Sequence, residues 1–474
     1  MGKYYITTTL PYVNAEPHIG FAMEIVRADV MARLHRALGD EVFFNTGTDE
    51  HGQKVYQKAK ELGIDTQKYC DDNAAKFSIL KDSLNLSYDN FIRTTDEHHI
   101  KAAQEFWKRC DANGDIYKKS YKIKYCVGCE LEKTDSELVD GKCPIHPTME
   151  LEIREEENYF FRFSKYQEKL LGFYKANPDF VQPGFRQNEM KVFVENGLQD
   201  FSISRLKAKM PWGVPVPGDE TQVMFVWFDA LVNYVSCLGW PENTEKFNAF
   251  WPGVQICGKD NLRQQTAMWQ AMLMSAGLPT SKQVIVEGFI TSDGQKMSKS
   301  LGNVIDPLEY VAKYGTDAVR YFLTAELSVF EDSDMTRDRF EEAFQASLAN
   351  GIGNLCARVA AMSEKENLKV PTEELTIRKE VVDLLNSYKF DEAMAVIWDL
   401  IKSADALINQ RQVWKLEGEE KVTALTELVK IVRQVGTDLA PFMPATAEKI
   451  MAQYGVEEIK RSENLFQRLP ANVN

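Results

Sequence analysis

Hydrophobic and polar positions follow two different periods along this chain, and the change between them divides the chain into regions. From Lys3 to Gly114, short apolar runs typical of strands alternate with stretches in which apolar residues recur every three or four positions. After an irregular middle part, this alternation returns between Gln222 and Ile290. From Asp338 to Gln453 the helical period dominates, with breaks near Asn367 to Glu374 and near Glu417 to Glu420.

Strands that alternate with helices favour a parallel sheet covered by helices, so the fold class is α/β with a doubly wound, Rossmann-type sheet. We expect this domain to be split by an insertion and followed by an all-α helical bundle. The predicted units are 1–115 and 222–290 for the two halves of the sheet domain, 116–221 for the insertion, 291–337 for a loop and connecting region, and 338–474 for the bundle. The predicted strands are Lys3–Thr9, Glu41–Thr46, Asn90–Thr95, Tyr159–Phe163, Gln199–Ile203, Gln222–Phe228, Gly253–Cys257 and Gln283–Ile290.

Composition narrows the class of protein. The 474 residues are 44% hydrophobic, which is enough for several buried cores. No run approaches the roughly 18 apolar residues of a membrane helix, and a strand begins near Met1 without a basic, apolar leader. Cysteines outside the close-spaced group, such as Cys70, Cys110, Cys237 and Cys257, are scattered singly, which is typical of reduced core residues. We therefore predict a cytoplasmic protein without a membrane partner.

A net charge of −14 argues against a surface that is coated with nucleic acid, because phosphate contacts require lysine and arginine. Any RNA partner must therefore contact local basic patches.

Two distant segments carry nucleotide-binding character. Near the start, a predicted strand, a turn bracketed by prolines and a predicted helix place His18 and Gly20 at a helix N-terminus, where backbone N–H groups favour phosphate. Far downstream, Lys296 and Lys299 lie in a loop bounded by Gly294 and Gly302, and two such ammonium groups can close on a polyphosphate. Alone, His18 is more often a helix cap and the lysine loop a solvated surface loop. Together the segments predict a nucleotide site.

The middle region contains two pairs of metal-ligating residues. Their spacing, C-x-x-C followed by C-x-x-H, matches a tetrahedral structural zinc site of three sulfurs and one nitrogen. With all four positions filled by protein, such a site leaves no open position for catalysis. The predicted Zn²⁺ ligands are Cys126, Cys129, Cys143 and His146.

The paired segments resemble the class I aminoacyl-tRNA synthetase signatures usually written HIGH and KMSKS. Phe21 stands where that family usually has its second histidine. Within the class, the chain resembles the methionyl-tRNA synthetases. Its single zinc knuckle, the segment that carries Cys126, Cys129, Cys143 and His146, resembles that of one bacterial type of them. Motifs that carry this resemblance in order are Leu10-Pro11-Tyr12, Thr48 to Gly52, the knuckle, Phe201 to Arg205, Val226 to Ala230 and the Lys296 loop.

The resemblance implies roles for individual residues. Catalytic roles fall to His18, Lys296 and Lys299, and ATP binding to these together with Gly20, Gly258, Asp260 and Ile290. Methionine binding falls to Leu10, Tyr12, Asp49, Trp227, Ala230, Tyr234 and Gln265, and closing of the active site to Arg205. Gln265 occupies a position where the family usually has a histidine. By composition alone these apolar side chains suit a flexible thioether but equally suit an ordinary core.

The implied chemistry is attack of the methionine carboxylate on the α-phosphorus of ATP, with Mg²⁺ bridging the phosphates. Because the carboxylate is already a nucleophile, the protein must supply alignment and charge compensation rather than a general base. Phe21 cannot donate a hydrogen bond. Our hypothesis is that another group compensates or that the adenylate forms more slowly.

The predicted bundle carries a polar face. Asn350, Asn354 and Arg358 recur every four residues, and Trp414 offers a ring on which a base can stack. Without context, a polar outer face and a core tryptophan would be the better interpretation. The resemblance identifies these four residues as readers of the CAU anticodon of tRNA(Met), initiator and elongator.

Two alternatives remain open at this stage. A ligase for leucine, valine or isoleucine usually carries a larger editing insertion than the segment between Asp115 and Thr221 can hold. A tRNA-binding protein without catalysis would explain why Phe21 replaces the second signature histidine, but not why His18, Lys296 and Lys299 are retained.

The chain stops after the bundle, without the extra domain through which some relatives dimerise, so we expect a monomer.

Overall fold

The computed structural model of the protein describes residues 2–129, 131–133, 137–297 and 303–469. Its first part alternates strands and helices as predicted. Two separate helices, Gln53–Leu62 and Thr66–Ser78, follow one another here, because Gly63 adopts a left-handed conformation that ends the first and Asp65 caps the second at Lys68 N. The elements are β1 (Lys3–Thr7), α1 (Ile19–Ala37), β2 (Glu41–Thr48), α2 (Gln53–Leu62), α3 (Thr66–Ser78), α4 (Leu80–Ser83), β3 (Asn90–Arg93) and α5 (Glu97–Ala112).

The middle part is built on antiparallel strands. A long β4–β6 hairpin forms the centre of one sheet with the order β5-β4-β6-β8, and β10, β11 and β9 form a second, smaller sheet. The elements are β4 (Ile116–Cys126), β5 (Leu131–Lys133), β6 (Glu152–Phe161), α6 (Gln167–Ala176), β7 (Val181–Gln182), α7 (Gly184–Glu195), β8 (Phe201–Ser202), β9 (Ser204–Leu206), β10 (Pro215–Val216) and β11 (Asp219–Met224).

The next part completes the α/β domain. A π-helical segment, Gln264–Met268, precedes α11. The elements are α8 (Val226–Ala230), α9 (Asn233–Ser236), α10 (Thr244–Phe250), β12 (Val254–Gly258), α11 (Trp269–Ser275), β13 (Gln283–Glu287), β14 (Ile290–Ser292), β15 (Gln295–Lys296), α12 (Pro307–Tyr314), α13 (Thr316–Tyr321) and β16 (Ser333–Asp334).

The central sheet is parallel, with the order β3-β2-β1-β12-β13-β7. This confirms the doubly wound fold. The chain reverses its direction of strand addition between β1 and β12, where Ile6 pairs with Val254. A crevice at such a switch point, outside the carboxyl ends of the strands, is where ligands bind in this class of sheet. The edge strand β7 comes from within the range predicted as the insertion.

The predicted strand Gln222–Phe228 is wrong in its second half. Strand β11 ends at Met224 and pairs antiparallel with β9, outside the central sheet, and α8 begins at Val226. A short apolar run cannot be assigned to strand or helix by periodicity alone, because both bury all of its residues.

The C-terminal part is helical, as predicted, and shares its core with the α/β domain. One cluster of buried apolar side chains contains Val26 of α1 together with residues from the bundle helices. The fully buried Arg320 joins the two regions by donating to Phe442 O at 2.7 Å and pairing with Asp29 at 2.8 Å. The bundle elements are α14 (Arg337–Ala343), a π-helical segment (Phe344–Gly353), α15 (Asn354–Lys365), α16 (Lys379–Asn386), α17 (Phe390–Gln410), α18 (Gly418–Leu439) and α19 (Pro444–Tyr454).

Membrane-spanning helices and the state of the cysteines are two features that concern the whole fold. Among the described residues we find no helix with the length and apolar character needed to cross a bilayer. All eight cysteines lie in the described part of the chain, and each is a free thiol.

Candidate active site and metal centre

His18 caps the helix that faces the crevice between β1 and β12. Its backbone is extended, and its Nδ1 accepts from Gly20 N at 3.1 Å and from Phe21 N at 3.4 Å. A ring nitrogen that accepts two backbone N–H groups is unprotonated, so the imidazole is neutral with its proton on Nε2. Desolvation lowers the pKa of His18 from its usual 6.5, while the charge of Asp260 acts in the opposite direction. The geometry therefore makes Nε2 a hydrogen-bond donor at neutral pH.

The two segments that carry nucleotide-binding character meet at this point. Ile19 N donates to Ile305 O at 3.0 Å, which joins the start of α1 to the chain just after the lysine loop. The methyl group of Met297 lies 3.9 Å from the position that a Cβ on Gly20 would occupy. Lys296 lies in β15, where its backbone pairs with Thr291, and Lys299 lies outside the described residues. The fold thus brings residues nearly three hundred positions apart to one crevice.

The residues after His18 differ in what they contribute. A side chain at position 20 would approach the His18 ring to 3.0 Å, so Gly20 keeps the mouth of the helix open. Phe21 points into the apolar core, is 7% exposed, and packs edge-to-face on Phe77 of α3 with ring centroids 5.6 Å apart. Position 21 therefore supplies packing in this chain and no polar group.

The opposite wall of the crevice is the turn after β12. A Cβ on Gly258 would lie 2.8 Å from Oδ1 of Asp260, so a glycine there allows the carboxylate to sit over the turn. Lys259 pairs with Asp332 at 2.7 Å, which fixes the turn against the chain before β16. Ile290, the first residue of β14, is buried in the core beside this turn.

The amino-acid side of the crevice begins with the loop after β1. Tyr12 forms a parallel β-bridge with Asp49, and Asp49 N donates to Pro11 O at 2.9 Å. The Tyr12 ring meets the Trp227 ring edge-on at a centroid distance of 6.3 Å. Leu10 packs against the neighbouring apolar cluster. The structure thus brings together Tyr12, Asp49 and Trp227 from three separate parts of the chain.

A second group of predicted residues lies on α8, α9 and the π-helical segment. Gln265 donates to Tyr234 Oη at 2.5 Å and accepts from Gln255 at 3.0 Å, and all three side chains are buried. Ala230 is buried as well. The indole nitrogen of Trp227 is buried and has no hydrogen-bond partner among the described residues. Gln265 therefore keeps a polar, hydrogen-bonded group at the position where the family usually has a histidine.

A buried polar network behind this pocket was missed by the sequence reasoning. Asp229 accepts a hydrogen bond from His51 at 3.0 Å and lies 3.4 Å from His99, whose other ring nitrogen contacts Ser236 at 2.9 Å. Although burial favours the neutral acid, the two imidazoles hold the pKa of Asp229 below its usual value. The network links the loop carrying Asp49 to the helices carrying Trp227 and Tyr234. Its only signal in the sequence was His51 and Asp229 within the two motifs.

Glu24 is a second missed residue. It lies in the otherwise apolar run of α1, is 7% exposed, and accepts from both N and Oγ1 of Thr9 at 2.6 Å. Burial raises the pKa of Glu24 well above its usual value, and the charges of Glu287 and Asp260 add to this effect. The contact ties the loop after β1 to α1. An acid flanked on both sides by apolar helix positions was the available signal.

Arg205 is buried between two aromatic rings. Its guanidinium carbon lies 4.3 Å from the ring centroid of Phe225 and 5.4 Å from that of Tyr125, and Nη1 donates to Ser204 O at 2.7 Å. It therefore connects the strand that leads to Cys126 with the segment that leads to Trp227.

The predicted metal ligands converge. The ligand atoms of Cys126, Cys129, Cys143 and His146 all lie within 4.8 Å of one another. The sulfurs of Cys129 and Cys143 are 3.4 Å apart, and Nδ1 of His146 lies 3.2, 3.8 and 4.0 Å from the sulfurs of Cys129, Cys126 and Cys143. A tetrahedral zinc ion with bonds of about 2.0–2.3 Å requires ligand atoms roughly 3.3–3.8 Å apart. The donor set and its spacing therefore fit such an ion.

The polar face predicted in the bundle starts within a π-helical segment. Asn350 is exposed in that segment, and Asn354 and Arg358 lie on the following α15. Arg358 is held by α17, with Asp405 at 3.2 Å and Asn409 at 3.1 Å. Trp414 follows the end of α17 and is 46% exposed. An exposed tryptophan beside the helix that contacts Arg358 fits a stacking surface better than a core residue.

Comparison with known proteins gives consistent matches. The family model described as tRNA synthetases class I (M) matches residues 4–151 and 136–360. A methionine–tRNA ligase of Thermotoga maritima is 42% identical over 98% of this chain and 77% of its own length. A methionine–tRNA ligase of Thermosynechococcus vestitus is 43% identical over 95% of this chain and 90% of its own length.

Solved structures match over the whole fold. A structure of Mycobacterium tuberculosis methionyl-tRNA synthetase in complex with methionyl-adenylate superposes with a TM-score of 0.93 at 35% identity, covering 99% of this chain and 100% of that one. The apo form of the same enzyme superposes with a TM-score of 0.85 at 31% identity, covering 99% of each chain. The described conformation is thus more similar to the adenylate complex than to the apo form.

Proposed function

The chain belongs to the methionine–tRNA ligases, a family of class I tRNA synthetases, and from that premise we propose how its own residues perform the reaction. It activates L-methionine with ATP to methionyl-adenylate, releases pyrophosphate, and transfers the methionyl group to tRNA. The acceptor proposed for the transfer is the 3′ end of tRNA(Met), initiator and elongator.

ATP lies in the crevice between the ends of β1 and β12. His18 donates from Nε2 to phosphate oxygens, and Lys296 and Lys299 bind the pyrophosphate side. Gly20 leaves room for the adenine ring, Gly258 and Asp260 contact the ribose, and Ile290 borders the nucleotide. Mg²⁺, if bound together with ATP, would compensate phosphate charge that these side chains leave unpaired. The supporting observation is that Met297 and Ile305, on either side of the Lys299 segment, contact Gly20 and Ile19.

The activation step needs alignment more than acid–base chemistry. A methionine carboxylate oxygen forms a bond to the α-phosphorus of ATP while the bond from that phosphorus to the bridging oxygen breaks, and pyrophosphate leaves with the electron pair. Charge on the phosphoryl oxygens is stabilised by preorganised donors, with His18 at the helix N-terminus first among them. In the second step a terminal tRNA hydroxyl attacks the methionyl carbonyl and AMP leaves.

Methionine occupies the amino-acid side of the crevice. Asp49 pairs with its ammonium group, and its thioether lies among Leu10, Tyr12, Trp227, Ala230 and Tyr234, with Gln265 holding the Tyr234 hydroxyl. Arg205 takes part in closing the site. The hydrogen bonds between Asp229 and the imidazoles of His51 and His99 hold the loop that carries Asp49 in place against the helices that carry Trp227 and Tyr234.

Zn²⁺ is held by Cys126, Cys129, Cys143 and His146 and stabilises the insertion without taking part in chemistry. The fit of the ligand separations supports this assignment.

The bundle reads the anticodon. Asn350, Asn354 and Arg358 contact the edges of the CAU bases and Trp414 stacks on one of them. The protein acts as a monomer in the cytoplasm, and the free thiols support a reducing compartment.

The convergence of the His18 turn and the lysine segment on one crevice carries this proposal. ATP–pyrophosphate exchange, measured with methionine, leucine, isoleucine and valine in turn, tests it. We expect exchange with methionine at least about a hundredfold faster per unit concentration than with the branched amino acids, since each missing or misplaced methylene group changes kcat/KM about 10–200-fold. Equal exchange with leucine, or none with methionine, would contradict it.

A further inference from the structure

One lysine connects the metal-ligand cluster with the amino-acid side of the crevice. Lys54 lies in the first turn of α2, directly after the loop that carries Asp49. Its Nζ donates to the backbone carbonyl of Gly128 at 2.6 Å and lies 5.4 Å from the ring centroid of Tyr12. The side chain is half-buried between them. A single ammonium group therefore contacts both the knuckle and the pocket.

The carbonyl that Lys54 contacts belongs to the turn between two metal ligands. Gly128 separates Cys126 from Cys129, and a Cβ at this position would lie 2.4 Å from Cγ of the His146 ring. The imidazole ligand thus packs directly on the backbone of Gly128. The same residue therefore packs on one of the predicted metal ligands and supplies the oxygen that accepts from Lys54.

The other contact of Lys54 is with a pocket wall. An ammonium within about 6 Å of a tyrosine ring is attracted by the negative face of the ring. The Tyr12 ring is also in edge contact with Trp227, and its backbone bridges Asp49. A change in the position of Lys54 would therefore affect Tyr12 directly, and Trp227 and Asp49 through their contacts with Tyr12.

A second contact holds the knuckle against the same side of the molecule. Tyr125, which precedes the first ligand Cys126, packs on the guanidinium of Arg205, and Arg205 packs on Phe225 near the start of α8. The knuckle is therefore docked from both ends of its first ligand pair. Of the two contacts, Lys54 is the one made by a flexible side chain with a single charged tip, so it can be removed without opening the core.

We infer that Lys54 is a positioning residue that couples the Cys126–Cys129–Cys143–His146 site to methionine binding. When the ligands hold a metal ion, Gly128 presents its carbonyl to Lys54, and Lys54 in turn orients Tyr12. Because coupling between two binding sites is reciprocal, methionine must stabilise the bound metal by the same factor by which the metal favours methionine. The inference rests on the proposed function only in taking the Tyr12 side of the crevice as the methionine pocket.

The test uses the full-length zinc-loaded protein and three variants. Lys54→Met keeps an unbranched side chain but removes the charge and the donors, and Lys54→Arg restores a charged donor. Lys58→Met is the matched control, because Lys58 lies one turn later on α2 and pairs with Glu61 in solvent. The zinc Kd is measured by competition with a chromophoric chelator of known affinity, with and without saturating methionine, and the methionine Kd is measured by calorimetry.

In the unmodified protein we expect saturating methionine to lower the zinc Kd about fivefold, at the lower end of typical couplings between sites. In Lys54→Met this ratio should approach one and the methionine Kd should rise about fivefold, with the KM for ATP unchanged. Lys58→Met should match the unmodified protein, and Lys54→Arg should recover part of the ratio.

The results that would contradict the coupling differ from those that would contradict the proposed function. If the unmodified protein binds methionine but has the same zinc Kd with and without it, the coupling does not exist. A normal ratio in Lys54→Met would show that another contact carries it, which also overturns the inference. Absence of methionine binding in the unmodified protein would instead contradict the proposed function. A purely structural role of Lys54 would lower the melting temperature while leaving the ratio intact.

Discussion

The crevice and the bundle differ in how far apart along the chain their side chains originate. In the crevice, Tyr12 meets Trp227 and Ile19 bonds to Ile305, so each contact depends on the whole α/β domain. In the bundle, Asn350, Asn354 and Arg358 come from one continuous helical stretch, and the partners of Arg358 come from one neighbouring helix. A substitution in the crevice should therefore affect several contacts together, whereas one on the bundle face should remove a single contact.

The largest effect is expected from His18→Ala. By the proposed assignment it removes a donor to the phosphate oxygens, and it also removes the acceptor that caps α1, so ATP–pyrophosphate exchange should fall about 10²–10³-fold. Loss of the cap should also lower the free energy of unfolding by about 1 kcal/mol. The affinity for tRNA, measured by filter binding, should stay the same because the bundle is untouched.

His18→Asn separates the two roles of this histidine. An asparagine can cap the helix and donate from its amide, so it should retain stability and part of the exchange activity. Exchange as low in His18→Asn as in His18→Ala, with the stability restored, would mean that the imidazole contributes more than a hydrogen bond. A loss of tRNA affinity in either variant would break the distinction between crevice and bundle.

Trp414→Ala tests the same distinction from the other side. If one base stacks on this exposed ring, its loss costs about 1–3 kcal/mol, so kcat/KM for tRNA charging should fall roughly 10–100-fold. Exchange without tRNA should remain within about twofold of normal, since by this assignment Trp414 contacts only the anticodon.

Val422→Ala is the matched control for Trp414, because Val422 is an apolar bundle residue on α18 with a similar exposure of 44%. It should leave both assays unchanged. Equal losses of charging and exchange in Trp414→Ala would refute the anticodon assignment.

The difference between the regions also explains what the sequence could and could not predict. The metal ligands were predictable because their short spacings are imposed by the geometry of one ion, and the four atoms do converge. His18 was predictable because a strand, a turn and a helix start lie within a few residues. A site whose residues lie close together along the chain can therefore be predicted from a short sequence motif.

Long-range networks were not predictable. The hydrogen bond between His51 and Asp229 spans 178 positions, and no periodicity relates two such residues. The contact of Lys54 with Gly128 belongs to the same class, because it depends on how the insertion docks on the sheet domain. The strand predicted over Gln222–Phe228 failed for a related reason, since burial by distant segments decides whether a short apolar run becomes helix or strand.

A pH profile of exchange sharpens the view that His18 acts as a neutral donor. Desolvation lowers the pKa of His18 below 6.5, so exchange should be independent of protonation of this residue above pH 6.5. As the pH falls further and passes the lowered pKa, the neutral form should be lost at up to about tenfold per pH unit. The contribution of His18 to the free energy of unfolding has the same sign: the unfolded chain binds the proton first, so this contribution is fully present above pH 6.5 and declines below it.

His18→Asn provides the comparison for this profile, because an amide does not titrate. Its exchange should lack the component of the acid limb that belongs to His18. An identical acid limb in both proteins would assign the limb to another group, such as the buried Glu24, whose pKa is raised well above its usual value.

The smallest effect is expected from Phe21→His, which restores the residue that relatives usually carry. If the missing donor slows adenylate formation, exchange should rise a few-fold, while the melting temperature should fall because the edge-to-face contact with Phe77 is worth about 0.5–1.5 kcal/mol. Phe77→Leu isolates this second effect, since it removes the ring contact without adding a donor. Exchange that is unchanged or lowered in Phe21→His, at a temperature where Phe77→Leu is fully folded and active, would mean that position 21 contributes only packing. His18 and the lysine loop would then supply the proposed phosphate contacts without help from position 21.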